Sequence, residues 1–116
     1  MANKNITVVK TAAPNTPAEY AYTSLATSDV VVVPCDFKDE HTQLHFQGGA
    51  AEAVVTLTAG NGYAAVNDES FTLGAGKFMA LTIDSARFKH ITGENRGNMI
   101  ISVSAACSLA VVEARV

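Results

Sequence analysis

The residues best suited to chemistry in this chain are three histidines, two cysteines and two acidic loops, and their spacing decides what each can do. His41, His45 and His90 would have to converge in twos or threes to hold a metal. His41 and His45 fall on one face of a strand-like run, where four residues of extended chain separate them by about 13 Å, too far to share one ion. The His-x-His pattern is absent, so no metal is expected. Asp36, Asp39 and Glu40 around Lys38, and Asn67-Asp68-Glu69, offer oxygen ligands of the kind calcium takes. Neither has the spacing of an EF-hand, and both read as solvated loops. Gly60-Asn61-Gly62-Tyr63-Ala64-Ala65 formally matches G-x-G-x-x-A, with Asp84 downstream. A dinucleotide site needs a helix to begin there and hold the pyrophosphate at its N-terminus. Asn67, Asp68, Gly74 and Gly76 argue against that helix, so the glycines read as a hairpin turn.

Nucleophilic catalysis finds no motif. There is no G-x-S-x-G, and Cys35 stands beside Asp36, whose charge disfavours a thiolate. Nothing marks a pair of glycosidase carboxylates. The chain is expected to be no enzyme and to carry no cofactor. No basic run precedes an apolar stretch at the N-terminus, so no secretory signal is expected, and Cys35 and Cys107 are expected as free, buried thiols rather than a disulfide.

The elements that would position these residues are short strands. Val30–Val33, Thr42–Gln47, Glu52–Thr58, Phe71–Leu73, Lys77–Ile83, Arg87–Ile91, Asn98–Ser104 and Ser108–Glu113 are runs rich in β-branched residues or alternating in polarity, the last two expected to close the chain as a pair. Leu44 and Phe46 share one face of their run, and Ala53, Val55 and Leu57 share another. All eight glycines fall in four clusters between the runs. The window Pro17–Leu25 is the best helical candidate and reads equally well as a strand. The expected fold is all-β, an antiparallel β-sandwich or jelly roll of about eight short strands. Residues 1–17, with Pro14 and Pro17 and a single strand-like patch, are expected to form an extended N-terminal arm, and residues 18–116 the β-sandwich domain.

Composition narrows function further. The chain has 116 residues, enough for one core without metal or disulfide. Its net charge of -3 argues against nucleic acid, which requires a basic face. No uninterrupted apolar run exceeds the four residues of Val30–Val33, far too short for a membrane span. Charged residues make up only 16%, against about 25% in a typical domain, and a charge-poor surface loses little on desolvation against a neighbour. Two stretches are candidates for such contact. Ile6, Thr7, Val8, Val9 and Lys10 form a strand able to add to a partner's sheet edge. Arg87, Lys89 and Arg96, near His90, form a modest basic patch suited to orienting an acidic partner.

From Ala59-Gly60-Asn61-Gly62 through Asn67-Asp68, the Phe78–Ile83 strand, Ser85-Ala86-Arg87-Phe88-Lys89 and Gly93-Glu94-Asn95-Arg96-Gly97 to the strand Met99–Val103, the chain resembles the small head decoration, or capsid cement, proteins of tailed bacteriophages. The resemblance covers roughly half of the chain. It implies a sandwich or jelly roll, made in the bacterial host cytoplasm, that binds the outside of the major capsid protein lattice on the virion and stabilises the head. It also implies self-association as a trimer or other small ring. Alternatives are a tail or head-fibre subunit of the virion, or a carbohydrate-binding β-sandwich module presenting Tyr63 to a sugar ring.

Overall fold

The computed structural model describes residues 3–10, 19–27, 29–35, 42–61, 67–84, 87–93 and 96–113. Their strands are β1 (Asn3–Asn5), β2 (Val8–Lys10), β3 (Thr23–Leu25), β4 (Val30–Pro34), β5 (Thr42–Gly48), β6 (Ala53–Leu57), β7 (Glu69–Leu73), β8 (Phe78–Ile83), β9 (Asn98–Val103) and β10 (Cys107–Glu113). No α-helix occurs among the described residues, and Thr23–Leu25 of the ambiguous window is strand. The alternation seen in the sequence is the cause. In β5, Thr42, Leu44 and Phe46 are buried while the residues between them are not; in β6 the same holds for Ala53, Val55 and Leu57. A period of two places these side chains on one face, which must then be covered by another layer.

That layer is a second sheet. One sheet runs β1-β4-β9-β6-β7, the other β2-β10-β5-β8, with β3 also paired to β10. The inward faces meet in one hydrophobic cluster, in which Leu44, Phe46, Leu57, Met99, Ile101 and Leu109 are wholly buried. The order β4-β9-β6-β7 and the order β3-β10-β5-β8 are antiparallel throughout. Both sheets are nonetheless mixed rather than purely antiparallel, because the N-terminal strands join in parallel: β1 lies along β4 and β2 along β10.

The N-terminal segment is therefore less of an arm than the sequence suggests. Residues 3–10 pass from the edge of one sheet to the edge of the other, and Ile6 between them is 4% exposed, its N–H donating to the Val32 carbonyl at 3.0 Å. Residues 11–18, which include both prolines of the expected arm, lie outside the described residues.

Two other expectations are corrected. β9 and β10 do not pair with one another: β9 lies inside one sheet and β10 inside the other, and Ser104–Ala106 carry the chain across. β9 buries the alternate side chains Met99, Ile101 and Val103, and β10 buries Cys107, Leu109 and Val111 along with Ala110 and Val112; packing the strands face to face buries both inward rows where a hairpin would align them side by side. The segment Arg87–Ile91 is not a strand. Its backbone is consumed by irregular partners: the Arg87 carbonyl accepts from Gly60, and His90 exchanges bonds with Gly97 and Asn98.

Because Ile6 fills the core between the two sheets, Ile6→Ala is expected to destabilise the fold by about 2–5 kcal/mol, read from the urea unfolding midpoint at unchanged slope. A loss within about 0.5 kcal/mol, the range of a surface change, would return residues 3–10 to the status of a detached arm.

Candidate protein-binding surfaces

The sequence-expected contact residues are placed as follows. Of the Ile6–Lys10 strand, Ile6 is buried, Val8 and Val9 are half-buried, and Thr7 is exposed. The backbone of Val8–Lys10 is already paired with Val111–Glu113 of the same chain. Arg87 donates from Nη2 to Glu69 Oε1 at 3.1 Å and lies over the Phe88 ring, 5.6 Å from its centroid. Both partners of that ion pair are more than a third exposed, so it is worth under about 1 kcal/mol. Lys89 is half-buried and Arg96 is exposed in the turn that Gly97 closes at φ 83°. All three cations sit on the one connection from β8 to β9, with Arg87 engaged by an acid of its own chain.

Among the candidate chemical groups, His45 Nε2 donates to Gln43 Oε1 at 3.2 Å, and the His45 ring packs near the Tyr20 ring at 5.8 Å. His41, Tyr63 and the loop Asp36–Glu40 lie outside the described residues. Among the described residues no three of His, Cys, Asp and Glu are grouped to hold a metal. Gly60, the first glycine of the G-x-G-x-x-A match, packs on backbone instead of a phosphate: its N–H donates to the Arg87 carbonyl at 3.1 Å, and a methyl there would overlap the Lys89 carbonyl oxygen. Asn61 pins the same connection, its amide donating to Thr92 and its Oδ1 accepting from the Ile91 N–H at 2.6 Å.

A cleft of about 240 Å³ opens between the edge strands β7 and β8. Phe71, Leu81, Ile83 and Phe88 make it apolar, and Glu69 and Arg87 stand at its rim. It is smaller than the roughly 300–1,000 Å³ of ordinary small-molecule sites.

The more extensive feature is the distribution of charge. Opposed residues in a sheet share a face. On the first sheet, Thr56 lies between Ser102 and Ser70, Val54 opposite Thr72, and Val32 between Asn5 and Ile100, all on the outward side. Thr56 and Ser70 join their hydroxyls at 3.1 Å. On the second sheet the outward rows are Gln43–Thr82, His45–Ala80 and Gln47–Phe78, with Ala110 and Ser108 of β10 beside them. The charged residues of the described strands are Lys4, Lys10, Glu69 and Glu113, and each holds a register position in line with core residues: Lys4 beside Val31, Glu69 beside Leu57, and Lys10 and Glu113 in line with Thr42. Lys10 aside, the outward sheet positions among the described residues carry no Asp, Glu, Lys or Arg, though Val32, Ala110 and Val112 there are buried rather than open to solvent. Val54 and Phe78, one on each face, are 41% and 69% exposed. Single-residue readings of the sequence missed these faces; the signal available to them was the low overall charge, which says nothing of where the charges go.

Compared with known proteins, the chain matches no family model, no curated protein and no solved structure.

Cys35 and Cys107 are buried thiols not joined in a disulfide, and the Cys35 Sγ donates to the Val33 carbonyl at 3.5 Å. Burial pushes the Cys107 thiol above its ordinary pKa, because the interior disfavours the thiolate. With the folded pKa above the unfolded one, the associated stability is complete below the unfolded value and is lost as pH rises through the folded one. Unfolding free energy is therefore expected to fall as pH climbs past about 8.5, and Cys107→Ala to flatten that decline; an equal alkaline slope in the variant would show that the thiol has no part in it. Gly60→Ala is expected to destabilise by about 1–3 kcal/mol in the same unfolding measurement, since the added methyl must push the β8–β9 connection away.

Proposed function

We propose that this chain is a structural virion protein that decorates the outside of a bacteriophage head, binding the major capsid protein lattice and associating with its own kind in a small ring. The observation that carries the proposal is the pair of uncharged outward sheet faces. Interface cores are depleted in charge because each buried ion must be desolvated, and a domain that keeps its ions off both broad faces presents surface that is cheap to cover. The resemblance of Ala59–Val103 to capsid cement proteins supports the same reading.

Strand order supports a jelly roll. From β3 onward, successive strands change sheet at every step except β6 to β7, and the two antiparallel orders β3-β10-β5-β8 and β4-β9-β6-β7 are those of two interlocked Greek keys. Jelly rolls serve as viral capsid and lectin domains, so the fold is compatible with the role without specifying it. The N-terminal segment contributes differently from a free clamp: with residues 3–10 built into the sheets, contact falls to the outward faces. The first sheet, whose outward rows are hydroxyl and aliphatic side chains, is the face assigned to the capsid.

Undecorated heads mixed with the purified chain are expected to carry it down on sedimentation and to show density on the outer surface by electron microscopy. Val54→Asp, at an exposed outward position, is expected to weaken binding about tenfold or more while the unfolding curve stays put. Density on the tail, or a glycan array with strong hits and heads left bare, would overturn the proposal.

A further inference from the structure

The two lateral seams between the sheets are closed unequally. At one, residues 3–10 cross from sheet to sheet with Ile6 buried between them. At the other, β7 is paired with β6 alone and β8 with β5 alone, among the described strands. Folded proteins guard an open edge with lysine, proline, a bulge or a covering loop, because its unpaired N–H and C=O groups template further pairing. β8 carries no such guard within it. It reads Phe78-Met79-Ala80-Leu81-Thr82-Ile83, and its register with β5 runs unbroken from Thr42 opposite Ile83 to Gln47 opposite Phe78. Its ions stand just outside, Lys77 before it and Asp84 after it. Phe78, 69% exposed, is the most exposed large hydrophobic residue described.

We propose that β8 is a self-association edge, pairing antiparallel with β8 of a second copy about a two-fold axis at Ala80. The end charges select the direction. Antiparallel pairing brings the Lys77 end of each strand to the Asp84 end of the other, whereas parallel pairing sets lysine beside lysine and aspartate beside aspartate. The side chains select the register. Opposed residues share a face, so a two-fold axis normal to the sheet must set one residue opposite its own counterpart. With Ala80 at the axis, Phe78 faces Thr82 of the second copy on the outward side and the two small Ala80 side chains leave room for the rings. On the inward side Met79 faces Leu81, both half-buried against the core. With Leu81 at the axis, Phe78 would face Asp84 instead. Main-chain bonds supply the affinity, as in other strand additions, and no charge is desolvated. The inference rests on this edge and stands apart from the virion reading; its symmetry is two-fold, where the resemblance implies a trimer or other small ring.

The test is sedimentation equilibrium of the full chain with Ala80→Lys and Ala80→Glu, each checked for an unchanged circular dichroism spectrum. Ala80 is exposed, so either side chain fits the monomer. The wild type is expected to dimerise reversibly. Each variant alone is expected to dissociate about tenfold or more readily, through like charges at the axis, and an equimolar mixture of the two to recover the dimer. Thr82→Lys, also exposed, serves in place of a variant that fails to fold. A wild type that stays monomeric at about millimolar concentration, or a dimer indifferent to Ala80→Lys, overturns the inference. A wild-type dimer that obeys the charge swap but leaves heads bare supports the edge and sinks only the virion reading.

Discussion

Every other feature of this domain depends on the contact between two apolar sheet faces. Leu44 and Phe46 from one sheet and Leu57, Met99 and Ile101 from the other are wholly buried because each strand turns alternate residues the same way. A single buried side chain of this size contributes roughly 1.5–3 kcal/mol by leaving water, so the rows together outweigh any ion pair on the surface. The constraint also explains the connections. A strand with one apolar face gains most when its neighbour in sequence lies across the core, and β9 and β10 take that arrangement.

Closing the layer leaves lateral seams, and the chain treats them asymmetrically. The N-terminal strands close one, adding in parallel to β4 and β10 with Ile6 as the plug. Parallel addition is available because the incoming segment joins each sheet at its edge and needs no hairpin to its neighbour. The opposite seam keeps a small apolar cleft and two strands with an open side. Among the described strands one flank is closed and the other keeps an open side, and it is that open side which the proposed self-association uses.

Charge placement points the same way. Ions that occur in strands hold register positions in line with the core, at sheet edges and strand ends, and the remaining described ions occupy connections. The broad outward faces keep only hydroxyl, amide, imidazole and apolar groups. Such a distribution lowers the desolvation penalty for any partner, while Arg87, held by Glu69, has less to offer an acidic partner than its place in the sequence suggests.

The sequence by itself determined the all-β class, the inward rows of β5 and β6, and most strand positions, because period-two alternation and glycine clusters are local properties of the chain. It also set the expectation of no metal or dinucleotide site, since a strand spacing or a missing helix is legible without a fold. Only the tertiary structure decided which strands are neighbours. Arg87–Ile91 looked like a strand, but its hydrogen bonds go to Gly60, Gly97 and Asn98, partners distant in sequence or unpredictable in geometry. Ile6 looked like part of a loose arm, yet its burial depends on a gap between two sheet edges that no local pattern encodes. Of the groups with which the reading began, His41 and Asp36–Glu40 lie outside the described residues, and the surfaces proposed for function are uncharged faces and an unguarded edge. Those exist only once register has aligned outward residues from strands far apart in the chain.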